Sequence, residues 1–246
     1  MLRLADMATL NPKLIKVVWR LLPIAVLGVG LTYILWPARC IIRETPFKRR
    51  CIAHLMLIRS SLDWYREENG GRLPPPVVVG PNGQVHSWRV LHRECRRRGY
   101  RLEEASDSAH NRQVLEEFYK DRWHYCYWDK LASKDPNQEI TSYVMLVRGK
   151  DPRCWDPNTL PRTAVLIVES AGCGIKFPEP RDLLYEDLWK GESPFGPGKL
   201  YAGHKYVHAL RVDGAIVLIP QNLPKDKLRL VLDGIPVDGV EVSSPR

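Results

Sequence analysis

The feature that most constrains this chain is an apolar stretch near its beginning, from Val17 to Trp36. After Arg20 no charged residue occurs before Arg39, and Leu, Ile, Val, Ala and Gly predominate. A segment of about 20 such residues can cross a bilayer as a helix, because a helix satisfies its own backbone hydrogen bonds. The sequence therefore predicts an N-terminal tail and a single transmembrane anchor within residues 1–38.

Two alternatives compete with this anchor. A helix buried in the core of a large domain can be equally apolar. A cleaved signal peptide would end in a small-residue cleavage site, whereas Trp36 is followed by Pro-Ala-Arg-Cys. We therefore expect the anchor to remain in the mature protein. Lys and Arg are nearly balanced on its two flanks, so charge alone does not set its orientation.

Basic residues are unevenly distributed. The formal net charge is +9, and the basic residues concentrate before Arg20, within residues 39–50 and within residues 89–101. Basic clusters next to a membrane span usually reflect topology or contact with anionic lipid. We interpret the third cluster as a solvated helix face, so membrane lipid is an expected partner and nucleic acid is not. The alternative is a cytoplasm-facing module whose residues 93–101 bind nucleic acid or lipid with a steep salt dependence.

The residues after the anchor predict one α+β domain. A juxtamembrane segment and an amphipathic stalk helix occupy residues 39–71, with Thr45-Pro46 as the predicted helix start. Its apolar positions recur at helical spacing and end at Asn69-Gly70-Gly71. They are Phe47, Cys51, Leu55, Ile58, Leu62 and Tyr65. We expect this stripe to pack on the sheet that follows.

Residues 72–246 are predicted to form a mostly antiparallel sheet with short helices between strands. The predicted strands are 77–79, 141–147, 163–169 and the two halves of a hairpin within 206–219. A turn leads into residues 84–90, where residues 87–98 fit either a strand or a helix, and a short helix with Ser87 as its N-cap is the preferred interpretation. At the centre of that hairpin, Asp213-Gly214 predicts a tight primed turn. Helices are predicted to start at Ser87, at Asp107 or Ser108, at Pro180 and at Pro224. The helix from Asp107 or Ser108 ends near Tyr119, the helix from Pro180 runs through Leu184, and the helix from Pro224 ends near Leu232.

Six cysteines are present, and none forms a Cys-x-x-Cys pair or a zinc-finger spacing. The spacing therefore predicts no structural metal site. One or two disulfides would fit an oxidising compartment, and the spacing does not show which cysteines would pair.

His204, His208 and Asp213 form the group of residues that most suggests catalysis or metal binding. In a strand, His204 and His208 would share one face and could bind one metal between them. No third ligand of comparable quality is evident from the sequence. The simpler interpretation is a hairpin with polar residues beside it.

Glu169, at the predicted end of a strand, is the other acidic residue of interest. With Glu179 and Asp182 nearby it could form an acid and base pair, although a solvated loop edge explains the same residues. We therefore predict no catalytic residue, no metal, no cofactor and no small-molecule substrate. The alternative is a membrane-tethered hydrolase or metal-dependent enzyme that uses His204, His208 and Glu169.

A series of short blocks occurs in a fixed order along the domain. The blocks are Leu62-Asp63-Trp64-Tyr65, residues 71–75, 86–91, 107–112, 141–144 and 177–183, and a hairpin from His204 to Gly214. Together they resemble the pilin-like domain-of-unknown-function 1559 family over about residues 55–233. The sequence departs from that family in two places. The family's C-terminal pattern has nine residues between His and Asp-Gly, whereas eight separate His204 from Asp213, and the N-terminus lacks the prepilin sequence Gly-Phe-Thr-Leu-Ile-Glu.

Members of this family are similar to type IV pilins and type II secretion pseudopilins, in which a membrane helix continues into a stalk helix with a small sheet around it. The resemblance implies a pilin-like fold in a non-enzymatic, single-pass membrane protein. Its domain would lie outside the cytoplasm as a structural or assembly component of the cell envelope. Partner proteins, or self-assembly through the stalk helix, are part of this expectation.

Overall fold

The computed structural model describes residues 49–120, 124, 134 and 139–243. The predicted anchor and the predicted helix start at Thr45-Pro46 lie outside these residues. Within the described ranges, no helix is both long enough and apolar enough to cross a bilayer. Residues Arg49–Arg246 group together as one unit, and the stalk helix belongs to it.

The predicted stalk helix is present as α1, which is described from residue 49 and ends at residue 68. Four members of its predicted apolar stripe are buried, as expected: Cys51, Leu55, Ile58 and Leu62. Gly70 and Gly71 follow with φ of +63° and +82°, conformations that glycine adopts without a Cβ clash and that suit a helix end.

The rest of the described domain contains three α-helices and ten strands. The helices are α2 (Arg93–Arg97), α3 (Ala109–Tyr119) and α4 (Lys225–Leu232). The strands are β1 (Val77–Val79), β2 (Val85–Ser87), β3 (Ile140–Thr141), β4 (Tyr143–Val147), β5 (Val165–Glu169), β6 (Ile175–Lys176), β7 (Leu183–Leu184), β8 (Tyr206–Arg211), β9 (Ile216–Pro220) and β10 (Glu241–Ser243). Six of these strands form the main sheet.

The main sheet has the strand order β10-β9-β8-β5-β4-β7. All neighbouring pairs are antiparallel except β4 and β7, which are parallel. Two short antiparallel pairs, β1 with β2 and β3 with β6, lie outside it. The prediction of an α+β fold with a mostly antiparallel sheet is therefore confirmed.

The sheet separates two apolar cores. One face packs against α1 and α3 through side chains such as Met145, Ile167 and Leu210. The other face packs against α4 through residues that alternate with these along the strands, such as Val144 and Val168. A register shift between Val165 and Ile167 determines which residues of β5 face each side of the sheet. From Ile167 onward every second residue faces α1, so Glu169 lies on the α1 side.

Several local predictions agree with the structure. Ser108 caps α3 by accepting a hydrogen bond from the Asn111 N–H, and Val114, Leu115 and Phe118 face inward. Ser87 likewise caps a short 3-10 helix, Trp88–Leu91. These caps are local, because the side chain bonds to a backbone group two or three residues ahead.

Two local predictions are wrong in detail. The helix predicted to start at Pro180 does not form, because Leu183–Leu184 is strand β7, paired with β4, and a 3-10 helix follows at Tyr185–Trp189. The β8–β9 hairpin is present but lacks the two-residue primed turn. Gly214 has φ of +83° and donates its N–H to the Arg211 carbonyl, so the loop is three residues long with glycine in the left-handed position.

Candidate metal centre

Four polar side chains meet on the face of the sheet that α1 covers. They are Cys51, Glu169, His204 and His208, and their ligand atoms all lie within 4.8 Å of one another. We refer to them as the Cys-Glu-His-His cluster. Three of them were singled out by the sequence as an alternative active site, and the fold brings those three together with a cysteine from α1.

The strand pairing explains why Glu169 and His208 meet. β5 and β8 are antiparallel neighbours with Val168 opposite Ala209, so the next pair along the strands is Glu169 and His208. The Glu169 Oε2 atom accepts hydrogen bonds from both the backbone N–H of His208 (3.1 Å) and its Nδ1 (2.8 Å). His208 is thus held by the carboxylate at two points.

His204 and Cys51 complete the cluster from outside the sheet ladder. His204 lies in the loop just before β8, with its ring 4.8 Å from the His208 ring. Its Nε2 is 3.7 Å from Cys51 Sγ and 3.8 Å from Glu169 Oε2. One imidazole nitrogen therefore faces both a sulfur atom and a carboxylate oxygen.

The cluster is shielded from solvent. Cys51, Glu169 and His208 are 0% exposed, and the side chain of His204 is 9% exposed. Two of its atoms, Glu169 Oε1 and His208 Nε2, are buried without a hydrogen-bond partner among the described residues. Most buried polar atoms in proteins are satisfied, and an ordered water or an ion is the usual partner where no protein group serves.

The two histidines stabilise the charged form of Glu169. Burial by itself would raise the pKa of Glu169, but the hydrogen bonds and charges of His204 and His208 outweigh it and hold that pKa well below its usual range. Burial likewise opposes protonation of His204, yet Cys51 and Glu169 raise the pKa of His204 to about 9. Without a bound metal, the cluster therefore contains a carboxylate and an imidazolium at neutral pH.

This geometry does not match a cysteine nucleophile. In such a triad the acid binds the histidine nitrogen opposite the one that faces the nucleophile. Here the same nitrogen, His204 Nε2, faces both Cys51 and Glu169. The thiol is also fully buried, so a substrate has no access to it. The donor set of one sulfur, two imidazoles and one carboxylate is instead the kind that binds zinc.

The other acidic residues considered from the sequence lie elsewhere. The Asp213 carboxylate pairs with Arg211 and accepts the Ala215 N–H, which stabilises the hairpin loop. Glu179 pairs with Arg181 at the surface. Neither belongs to the cluster, in which Glu169 and Cys51 lie beside the two histidines.

Asp182 belongs to a separate buried group. Its Oδ1 accepts hydrogen bonds from the backbone N–H of Met145 (2.7 Å) and from the indole of Trp88 (3.3 Å), and it pairs with Arg89. The Arg89 and Asp182 side chains are 2% and 1% exposed. Burial raises the pKa of Asp182, and the Arg89 guanidinium opposes that rise. Arg89 is thus a buried structural residue, and including it in a solvated basic face was wrong.

The remaining basic cluster is largely solvated, as predicted. Arg93, Arg96 and Arg97 are exposed on α2, and Arg97 pairs with Glu94. Arg101 pairs with Glu104. Neighbouring carboxylates thus offset part of the positive charge on this surface.

The described cysteines do not support the expectation of disulfides. Cys51, Cys95, Cys154 and Cys173 do not pair with one another. Cys40 and Cys126 lie outside the described residues.

Comparison with known proteins adds no relative: no family model, no curated protein and no solved structure matches the chain. Its function must therefore be argued from its own residues.

Proposed function

We propose that this chain is a non-enzymatic, single-pass membrane protein, similar to pilins and pseudopilins, that acts as a structural or assembly component of the cell envelope. Its anchor would be the apolar stretch from Val17 to Trp36. Support for the pilin-like arrangement comes from the chain order: a long helix, α1, precedes a mostly antiparallel sheet and packs on one of its faces.

The observation that carries an assembly role is a second face of α1. One stripe of α1 packs on the sheet, while Met56 and Leu57 are 51% and 46% exposed on the opposite side. Ala53 and Ser60, one turn before and one turn after, are also exposed and small. Apolar and small side chains together allow another helix to approach closely. We propose that a second copy of this chain packs here.

Photo-crosslinking in the native membrane tests this role. A photo-reactive amino acid placed at Met56 or Leu57 should give a product of twice the chain mass. Val79 is a matched control, because it is apolar and 63% exposed but lies on the β1–β2 hairpin. A product of another mass would show a different partner protein at α1. No product above the level of the Val79 control would refute assembly through α1.

The proposed location is outside the cytoplasm, with the anchor in the cell membrane. This rests on the resemblance to exported pilin-like domains; the cysteines contribute little, because the four described ones do not pair. Two C-terminal fusions test it: a reporter active only outside the cytoplasm and a fluorescent protein that matures only inside. Fluorescence of the inside reporter with silence of the outside one would reverse the orientation and remove the pilin-like role.

A second function, the metal-dependent hydrolase, is favoured by one observation, the proximity of Glu169, His204 and His208. Their burial disfavours it, because a catalytic metal keeps one position open for water or substrate. Screening generic ester, peptide and phosphate substrates with and without chelator, for the unaltered chain and for His204→Ala and His208→Ala, separates the two. Chelator-sensitive turnover that both variants lose would establish the hydrolase instead.

A further inference from the structure

We infer that the Cys-Glu-His-His cluster is a closed structural site for a zinc ion, which fastens α1 to the sheet. The inference rests on the kind, number, spacing and burial of its donors. It is independent of the proposed assembly role, because it concerns the inner face of α1 and not the exposed one.

The donor types favour zinc over the hard cations calcium and magnesium. One thiolate, two imidazoles and one carboxylate make four ligands of the kinds that Zn²⁺ binds, usually in a tetrahedron. Calcium and magnesium prefer oxygen ligands throughout and do not fit a set with sulfur and two nitrogens. With Cys51 as thiolate and both histidines neutral, two negative charges would balance the Zn²⁺ charge inside the protein. A buried site needs this balance, because an uncompensated charge away from water is costly.

The distances are close to those of a tetrahedral site. Bonds of ~2.0–2.3 Å place neighbouring ligand atoms of a zinc tetrahedron about 3.3–3.8 Å apart. His204 Nε2 already lies 3.7 Å from Cys51 Sγ and 3.8 Å from Glu169 Oε2. All four ligand atoms lie within 4.8 Å of one another, so no separation exceeds that range by more than about 1 Å. Small side-chain rotations can close such a gap.

The atoms that lack partners point to the same conclusion. Glu169 Oε1 and His208 Nε2 are both buried without a hydrogen bond to any described residue. Both atoms belong to residues on adjacent strands, and the His208 N–H donates a hydrogen bond to Glu169. A metal ion bound through His208 Nε2 and Glu169 Oε1 would satisfy both, while Glu169 Oε2 would keep its hydrogen bonds to His208. If the protein holds no metal, an ordered water would satisfy these two atoms instead.

The origin of the ligands gives the site its structural role. Cys51 comes from α1, whereas Glu169 and His208 come from adjacent strands and His204 from the loop that leads into β8. A metal bound by all four would link elements far apart in the chain, as a disulfide does. Cys51 lies near the end of α1 that is closer in sequence to the predicted anchor. The metal would therefore resist separation of α1 from the sheet at this end.

Metal analysis and cobalt substitution of the full chain, purified in a mild detergent, test the inference. We expect one zinc per chain. After chelation, Co²⁺ should give intense tetrahedral d–d bands and a thiolate-to-cobalt charge-transfer band. Cys51→Ser should abolish the charge-transfer band, and His204→Gln should weaken zinc affinity by more than the roughly 10–100-fold typical of an outer-shell partner. Saturating zinc should raise the melting temperature of the unaltered chain by about 5–10 °C and should not raise that of Cys51→Ser or His204→Gln.

Matched controls lie elsewhere in the same core. Cys95 is a thiol as buried as Cys51, and His86 is a buried histidine that contacts Tyr100 and Leu102. Cys95→Ala and His86→Gln should keep the zinc, the cobalt spectrum and the zinc-dependent melting shift. Should Cys51→Ser fail to fold, the charge-transfer band of the unaltered chain still reports a cysteine ligand, and His204→Gln still tests the set. The site would be overturned if the unaltered chain melts cooperatively but binds no zinc at saturation. It would also be overturned if Cys51→Ser and His204→Gln bind zinc as tightly as the unaltered chain.

Discussion

Removal of the buried Arg89–Asp182 pair provides a quantitative test of what holds the domain together. The Arg89 guanidinium donates to the Tyr143 carbonyl (3.0 Å) and to Ser87 Oγ (2.7 Å) as well as to Asp182. Arg89→Met would leave Asp182 with only the N–H groups of Met145 and Trp88. Breaking one half of a buried ion pair typically costs about 3–5 kcal/mol, because a charge remains buried without its counter-ion. We expect a loss of that size in the free energy of unfolding.

The assay is denaturant unfolding of the full chain in mild detergent, followed by tryptophan fluorescence. The double variant Arg89→Met/Asp182→Asn should lose about 2 kcal/mol less than the sum of the single variants, since neither unpaired charge remains. The control is the exposed pair Arg72–Asp156, whose side chains are 71% and 41% exposed. Arg72→Met should cost less than about 1 kcal/mol. A cost below about 1 kcal/mol for Arg89→Met, or additive single variants, would refute the reasoning.

Three further predictions concern the anchor, the domain and acid sensitivity. The full chain should stay with membranes after an alkaline carbonate wash, and its recovery in the soluble fraction would contradict the anchor from Val17 to Trp36. A fragment that starts at Thr45 should melt cooperatively, because α1 and both faces of the sheet bury their own core; a broad, non-cooperative transition would count against an independent domain. Burial lowers the pKa of His92 to about 3 in the folded chain, whereas an unfolded histidine has a pKa of ~6.5. Between these two pH values the unfolded chain binds one more proton at His92 than the folded chain does. The free energy of unfolding should therefore fall by up to about 1.4 kcal/mol per pH unit on acidification. His92→Asn keeps a cap acceptor for the Glu94 N–H and should reduce that slope, and an unchanged slope would assign the acid sensitivity to other groups.

The sequence by itself determined the features that depend on neighbouring residues. The buried stripe of α1 could be predicted from Cys51, Leu55, Ile58 and Leu62, because helical periodicity places them on one side. The start of α3 could be predicted as Asp107 or Ser108, and Ser108 is the cap, with a side chain that reaches three residues ahead. The position of the β8–β9 hairpin followed from a glycine that tolerates positive φ. Each of these signals lies within a few residues of the structure that it predicts.

Only the tertiary structure decided which distant residues meet. Leu183 and Leu184 have no periodicity that distinguishes a strand from a helix, and their pairing with β4 fixed the outcome. Arg89 lies at the start of a basic run, and its burial depends on Asp182, far along the chain.

The Cys-Glu-His-His cluster has the same origin. Glu169 and His208 meet because β5 and β8 are neighbours in a register set by the shift between Val165 and Ile167. Cys51 joins them because α1 packs on that face, although in the sequence it is indistinguishable from any other apolar position of the stripe. Residue type and spacing indicate which side of an element is buried, but the order of strands and the partner of each face arise from contacts between segments that are remote in sequence.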